Sequence, residues 1–130
     1  MSSRFNVPSW VRKHNFKDGD WKQASASELD TIKAGLSKFN EDKPVISVVI
    51  PVWNEEKNLL RTLSSFSAME LKYPTELIIV NNNSTDSTQA LLDRLGVRSL
   101  LETKQGIAHA RLAGLKASKG KYQLCGDGDS

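Results

Sequence analysis

The 130-residue sequence predicts an α/β fold built on a doubly wound, mostly parallel sheet with helices on both faces, running as far as a fourth strand. Three observations predict it. Short β-branched runs at 45–52, 76–80, 97–102 and 121–125 alternate with longer amphipathic stretches. The intervening segments have the length of crossover helices, which parallel strands require and hairpins do not. Each run also ends on a polar, turn-forming loop, the place where such sheets bind ligands.

Residues 1–44 form an N-terminal extension rich in Ser, Lys and Asp, with aromatic residues at Phe5, Trp10, Phe16 and Trp21. Leu29, Ile32, Leu36 and Phe39 recur there at helical spacing, and Ser25 with Glu28 makes a capping box at the start of that helix. The helix is expected to cover an apolar flank of the main domain. A second reading gives Trp10 and Trp21 to a partner or a membrane surface. Lys43 and Pro44 end the helical pattern, and the boundary with the main domain, 45–130, is placed there. After the first strand, Asn54 is expected to cap a helix with Glu55 and Glu56 in its first turn and Leu59, Leu60, Leu63 and Phe66 on its buried face. A second helix is expected from about 84–86, burying Leu91, Leu92 and Leu95 and stopping at Gly96. A third covers 107–118, with Gly120 beyond it.

Composition narrows the function classes. With 38% hydrophobic and 25% charged residues, the chain has the profile of an ordinary globular domain, which excludes disorder and collagen. The 18 Lys and Arg are interspersed with 15 Asp and Glu and form no basic stripe, so no nucleic-acid partner is expected. No apolar run approaches the ~20 residues of a membrane-spanning helix, and the N-terminus lacks a secretory core. A single cysteine, Cys125, gives no intrachain disulfide, and a cytoplasmic location is expected, with membrane contact at most peripheral.

The chemistry-bearing residues fall on the strand ends, at 51–54, 81–84, 104–106 and 126–129, and these loops are expected to converge on one crevice. Asp127 and Asp129 flank Gly128 and offer hard oxygen ligands to Mg²⁺ or Mn²⁺; the competing reading is a plain turn. No Gly-rich phosphate loop follows the first strand, which disfavours P-loop and dinucleotide chemistry. Trp53 offers a flat face to a nucleotide base, or packs on the first helix as a core residue. Asn82 offers an oxygen to a base N–H, and Arg111 and Lys104 either meet phosphate charge or lie solvated. His14 and His109 have no recognisable catalytic partner, and no Ser-His-Asp or Cys-His set is present.

Taken together, 45–130 resembles the inverting glycosyltransferases of family two, which have the A-type fold and use a nucleotide-diphosphate sugar with a divalent metal. Residues 46–56, from Ile46 to Glu56, are similar to that family's opening strand and loop, and 76–86 to its second. Gly106, Ala110, Arg111, Gly114, Ala117, Gly120 and Tyr122 fall at the spacing of its third helix and fourth strand, and Asp127 with Asp129 matches its Asp-x-Asp signature. The resemblance implies that Pro51, Trp53 and Glu56 line the base and ribose pocket, that Asn82 contacts the base, and that Arg111 serves the substrate. It further implies that Asp127 lies near the ribose and sugar and helps hold the metal, and that Asp129 ligates the metal on the diphosphate. The sequence departs from the family at Asn81 and Asn82, where acids are usual, at Trp53, commonly Tyr, and at Leu112, frequently Asn. The implied partners are a nucleotide-diphosphate sugar, a UDP-sugar foremost, and an acceptor glycan or lipid; the cofactor is Mg or Mn. The general base is expected beyond Ser130, so residues 1–130 alone are not expected to transfer sugar. A non-catalytic nucleotide-binding or interaction module of the same fold is the alternative.

Overall fold

A computed structural model describes residues 21–126. Strands β1 (Ile46–Val52), β2 (Thr75–Asn81), β3 (Ser99–Leu101) and β4 (Tyr122–Cys125) pair in parallel in the order β3-β2-β1-β4. The chain therefore steps outward from β1 through β2 to β3, then returns to lie on the far side of β1. That reversal makes the carboxyl ends of β1 and β4 a topological switch point.

Period-two alternation sorts β1 and β2 onto two cores. Ile50, Val52, Leu77 and Ile79 face one side, where they meet Leu59, Leu60, Leu63 and Phe66 of α2 (Glu56–Ser67) and Leu91, Leu92 and Leu95 of α3 (Thr88–Leu95). Val49, Ile78 and Val80 face the other, against Ala110 and Ala113 of α4 (Ile107–Ala117). Each fully buried leucine contributes about 1.5–3 kcal/mol. Gly114 lets α4 lie close to the sheet, since a Cβ there would sit 2.2 Å from Val49 Cγ1.

The N-terminal extension shares the larger core. Helix α1 (Ala26–Leu36) starts on the Ser25–Glu28 capping box and continues into a 3₁₀ turn at Ser37–Phe39. Its Leu29, Ile32 and Leu36, followed by Phe39, pack with α2 and α3, and Trp21 packs half-buried against the same cluster. Gly35 seats α1 on α2: a Cβ there would be 2.5 Å from the Ser67 carbonyl oxygen. Lys38 Nζ then donates to the carbonyls of Ser67, at 2.8 Å, and Met69, so a cation from the extension satisfies the C-terminus of α2. Phe5, Trp10 and Phe16 lie outside the described residues.

The β3 and α3 boundaries differ from the sequence expectation for identifiable reasons. Strand β3 is shorter than 97–102 because Gly96, at φ 67°, ends α3 in a left-handed cap and Val97 N–H returns to the Leu92 carbonyl at 3.2 Å. Helix α3 begins at Thr88 rather than at 84–86, since Asp86 Oδ1 accepts from Thr88 N–H at 3.0 Å and holds the preceding residues in a turn.

At the amino edge of the sheet, Glu76 is 1% exposed and holds four segments together. Its carboxylate accepts from Ser47 Oγ at 2.5 Å, Lys119 N–H at 2.6 Å and Arg98 Nη1 at 2.8 Å; Ser47 Oγ in turn accepts from Gly120 N–H, and Arg98 also donates to the Glu41 carbonyl. Burial alone would raise the Glu76 pKa, but the Lys119 and Ser47 hydrogen bonds and the Arg98 charge outweigh it and hold the value below the ordinary glutamate range. A lowered folded-state value means that the carboxylate contributes stability above about pH 4.3, lost as pH falls through the folded value. Glu76→Ala is expected to cost about 3 kcal/mol in urea unfolding at pH 7, because it leaves Arg98 without its carboxylate and the buried Ser47 hydroxyl and the Lys119 N–H without their acceptor, and to flatten the loss of stability below about pH 4.3. An unchanged midpoint with an unchanged acid slope would remove Glu76 from this role.

Candidate functional site

The carboxyl edge of the sheet is framed by the β1–α2, β2–α3 and β3–α4 loops and by the exit of β4. Gly126 N–H donates to the Val49 carbonyl at 2.9 Å, so the β1–β4 ladder carries the chain to the switch point at residue 126. Asp127 and Asp129 lie outside the described residues.

The β1–α2 loop is held by its neighbour. Asn54 takes a left-handed φ of 47°, which asparagine tolerates better than most residues, and its Oδ1 accepts from Thr85 N–H at 2.8 Å. The expected Asn54 cap is therefore not formed: Glu55 occupies the cap position, without a side-chain hydrogen bond to the helix. The backbone donors instead go across to the β2–α3 loop, Asn54 to Ser84 Oγ at 3.0 Å, Glu55 to Thr88 Oγ1 at 3.2 Å and Glu56 to Asp86 Oδ2 at 3.5 Å. An acidic side chain thus meets the positive end of α2, supplied from another loop. The sequence reading missed these ties because it spent Ser84 to Asp86 on a helix start; the Asp86-Ser-Thr88 turn pattern was the available signal.

The expected site residues are placed as follows. Pro51 is buried in β1 opposite Val80, and Trp53 stands two residues later, 53% exposed. The core alternative for Trp53 is thereby excluded. Glu56 opens α2 and is half-buried; Arg111 is half-buried on α4, and Lys104 is exposed. Asn82 is 5% exposed, and its carboxamide is turned toward the β3–α4 loop: Nδ2 donates to the carbonyls of Glu102 at 3.0 Å and Lys104 at 2.7 Å, while Oδ1 accepts from Gly106 N–H at 3.0 Å. Gln105 Nε2 closes the same loop onto the Asn82 carbonyl at 3.1 Å. Asn81 is likewise engaged, with Gln89 Oε1 and Ser84 N–H. The loop leads into α4 through Gly106 at φ 130°, a conformation glycine adopts readily. Among the described residues, no group of three or more His, Cys, Asp or Glu side chains is placed to hold a metal ion.

The carboxyl edge of this doubly wound sheet thus carries an exposed tryptophan just after β1 and a braced loop after β3. The sequence profile of Glycosyl transferase family 2 matches residues 47–130, and the chain belongs to that family. A dolichyl-phosphate beta-glucosyltransferase from Dictyostelium discoideum is 28% identical, with 94% of this chain aligned to 41% of that protein. A dolichol-phosphate mannosyltransferase from Saccharomyces cerevisiae is 35% identical across 64% of this chain and 34% of its own length. The chain thus spans well under half of these relatives.

Solved structures agree on the fold. Glucosyl-3-phosphoglycerate synthase from Mycobacterium tuberculosis, in complex with UDP, superposes with a TM-score of 0.59 at 27% identity, over 82% of this chain and 39% of that one. A mannosyltransferase from Pyrobaculum calidifontis, in complex with GDP-Man and Mn²⁺, gives 0.59 at 22% identity, over 80% and 36%, and supports the fold alone. Among the described residues, no helix is long and apolar enough to cross a membrane.

Because Trp53 is exposed and its neighbours anchor the loop without it, Trp53→Ala is expected to leave the urea midpoint within about 0.5 kcal/mol of wild type. It is also expected to weaken nucleoside diphosphate binding about tenfold in calorimetry, as loss of one base-stacking face would. A large loss of stability, or unaltered binding, would take Trp53 out of the site.

Proposed function

We propose that this chain is the donor-binding part of an inverting glycosyltransferase, which takes a nucleotide-diphosphate sugar, a UDP-sugar foremost, with a divalent cation. The observation that carries this reading is the parallel strand order β3-β2-β1-β4, which brings the loops after β1, β2 and β3 and the exit of β4 to one edge of the sheet, where Trp53 is exposed. The family membership and the UDP-bound structural relative support the same donor class.

In this proposal Trp53 stacks on the base, Pro51 and Glu56 complete the base and ribose pocket, and Arg111 meets phosphate charge. Asp127 and Asp129, which follow directly on the switch point, would hold Mg²⁺ or Mn²⁺. Two carboxylates one residue apart suit a hard cation that keeps positions open for phosphate oxygens. When bound, that cation stabilises the charge of the departing diphosphate. The polyprenyl-phosphate names of several relatives favour a lipid over a glycan as acceptor, which would bring the enzyme to a membrane surface peripherally.

Calorimetry and thermal shift with UDP- and GDP-sugars, with and without Mn²⁺, test this. The wild-type chain is expected to bind at least one donor in a Mn²⁺-dependent way, with a thermal shift of several degrees near saturation. Asp129→Ala is expected to keep the melting temperature of the unliganded chain and to abolish the Mn²⁺-dependent part of binding. No response from a folded sample at millimolar donor would refute the proposal, and Mn²⁺-dependent affinity equal to wild type would remove Asp129 from the metal site.

A further inference from the structure

The structure assigns Asn82 a positioning role: its carboxamide clasps the β3–α4 loop against the crevice, and it does not read the nucleotide base. This rests on the reading of the crevice as a nucleoside diphosphate site. Both Nδ2 hydrogens are spent on backbone carbonyls, those of Glu102 and Lys104, and Oδ1 is spent on Gly106 N–H. Only this orientation of the amide works, because the flipped one would set Oδ1 against two carbonyls and Nδ2 against an N–H. The Asn82 backbone is engaged as well, its N–H on the Val52 carbonyl at 2.8 Å and its carbonyl on Gln105 Nε2. One 5%-exposed residue therefore connects the end of β1, the end of β3 and the start of α4.

Turning Oδ1 toward a base would release Gly106 N–H and pull Nδ2 away from two carbonyls, so that three hydrogen bonds are lost for one gained. The base is better served by leaving the clasp closed. What Asn82 then contributes to a ligand is the placement of residues 104–106 at the carboxyl edge of the sheet, a contribution independent of which base is bound.

Aspartate distinguishes the two roles, since it has nearly the same shape but cannot donate. If Asn82 supplied an acceptor to a base N–H, Asn82→Asp would preserve or tighten UDP binding. If it is a clasp, the carboxylate faces the Glu102 and Lys104 carbonyls, the loop is pushed away, and UDP and GDP weaken together.

The experiment combines calorimetry of UDP and GDP with Mn²⁺ and amide hydrogen exchange by NMR, on wild type, Asn82→Asp, Asn82→Ala and Gln105→Ala. Both Kd values are expected to rise at least fivefold in Asn82→Asp, with their ratio unchanged within twofold, and Gly106 exchange to quicken at least tenfold in Asn82→Ala. Gln105→Ala, which loosens the same loop with Asn82 intact, is expected to raise both Kd values in the same proportion and serves if the Asn82 variants do not fold. UDP affinity kept or tightened in Asn82→Asp, a changed UDP-to-GDP ratio in any variant, or an unaltered Gly106 exchange rate in Asn82→Ala would overturn the assignment. Absence of nucleotide binding by wild type would refute the donor reading instead, and the Gly106 exchange arm would still decide whether the clasp exists.

Discussion

A strand buried on both faces must satisfy every polar group it carries inside the protein, and β2 is buried along all seven of its residues. Its middle is apolar and its ends are not. At the amino edge the Glu76 carboxylate gathers β1, the entry to β3, the α4–β4 turn and, through Arg98, the N-terminal extension. At the carboxyl edge Asn81 and, just past the strand, Asn82 gather the loops that frame the crevice. The two edges serve different ends by the same device. One secures the sheet, and the other ties together the loops of the proposed site, which have no ladder of their own.

The N-terminal extension belongs to this scheme through α2. That helix presents its N-terminus to the crevice and its C-terminus to α1, where Gly35 and Lys38 meet the Ser67 carbonyl. At the crevice end, three backbone donors are accepted by Ser84, Asp86 and Thr88 of the neighbouring loop. Trp53 is therefore displayed from a segment fixed on both sides by other parts of the chain. The backbone that carries this exposed aromatic ring is thereby held in place.

The fold was legible because its signals are local and repeated. Leu59, Leu60 and Leu63 recur at helical spacing, the β-branched runs alternate with them, and the parallel sheet follows from the lengths between. Gly96 and the Ser25–Glu28 box were readable for the same reason, since a cap depends on residues within one turn. The site was legible only as a place. That Trp53, Asn82 and Gly106 would share an edge follows from strand order, but the partners of Asn54 and Asn82 are 20 to 31 residues away and leave no periodic trace. Glu76 was hidden likewise. In sequence it is one charge at the head of an apolar run, and only the register opposite Ser47 shows that it is buried and shared.

In the proposed function, ligand and cation meet at the carboxyl edge of the sheet, at the β1–β4 switch point. Paramagnetic relaxation by Mn²⁺ in the presence of UDP, read on backbone amides, tests it most directly. Strong broadening is expected at Trp53, Asn83, Gly106 and Gly126, with Thr75, Lys119 and Lys121 at the opposite edge remaining sharp. Broadening centred on the amino edge around Glu76, or spread evenly over the surface, would contradict it.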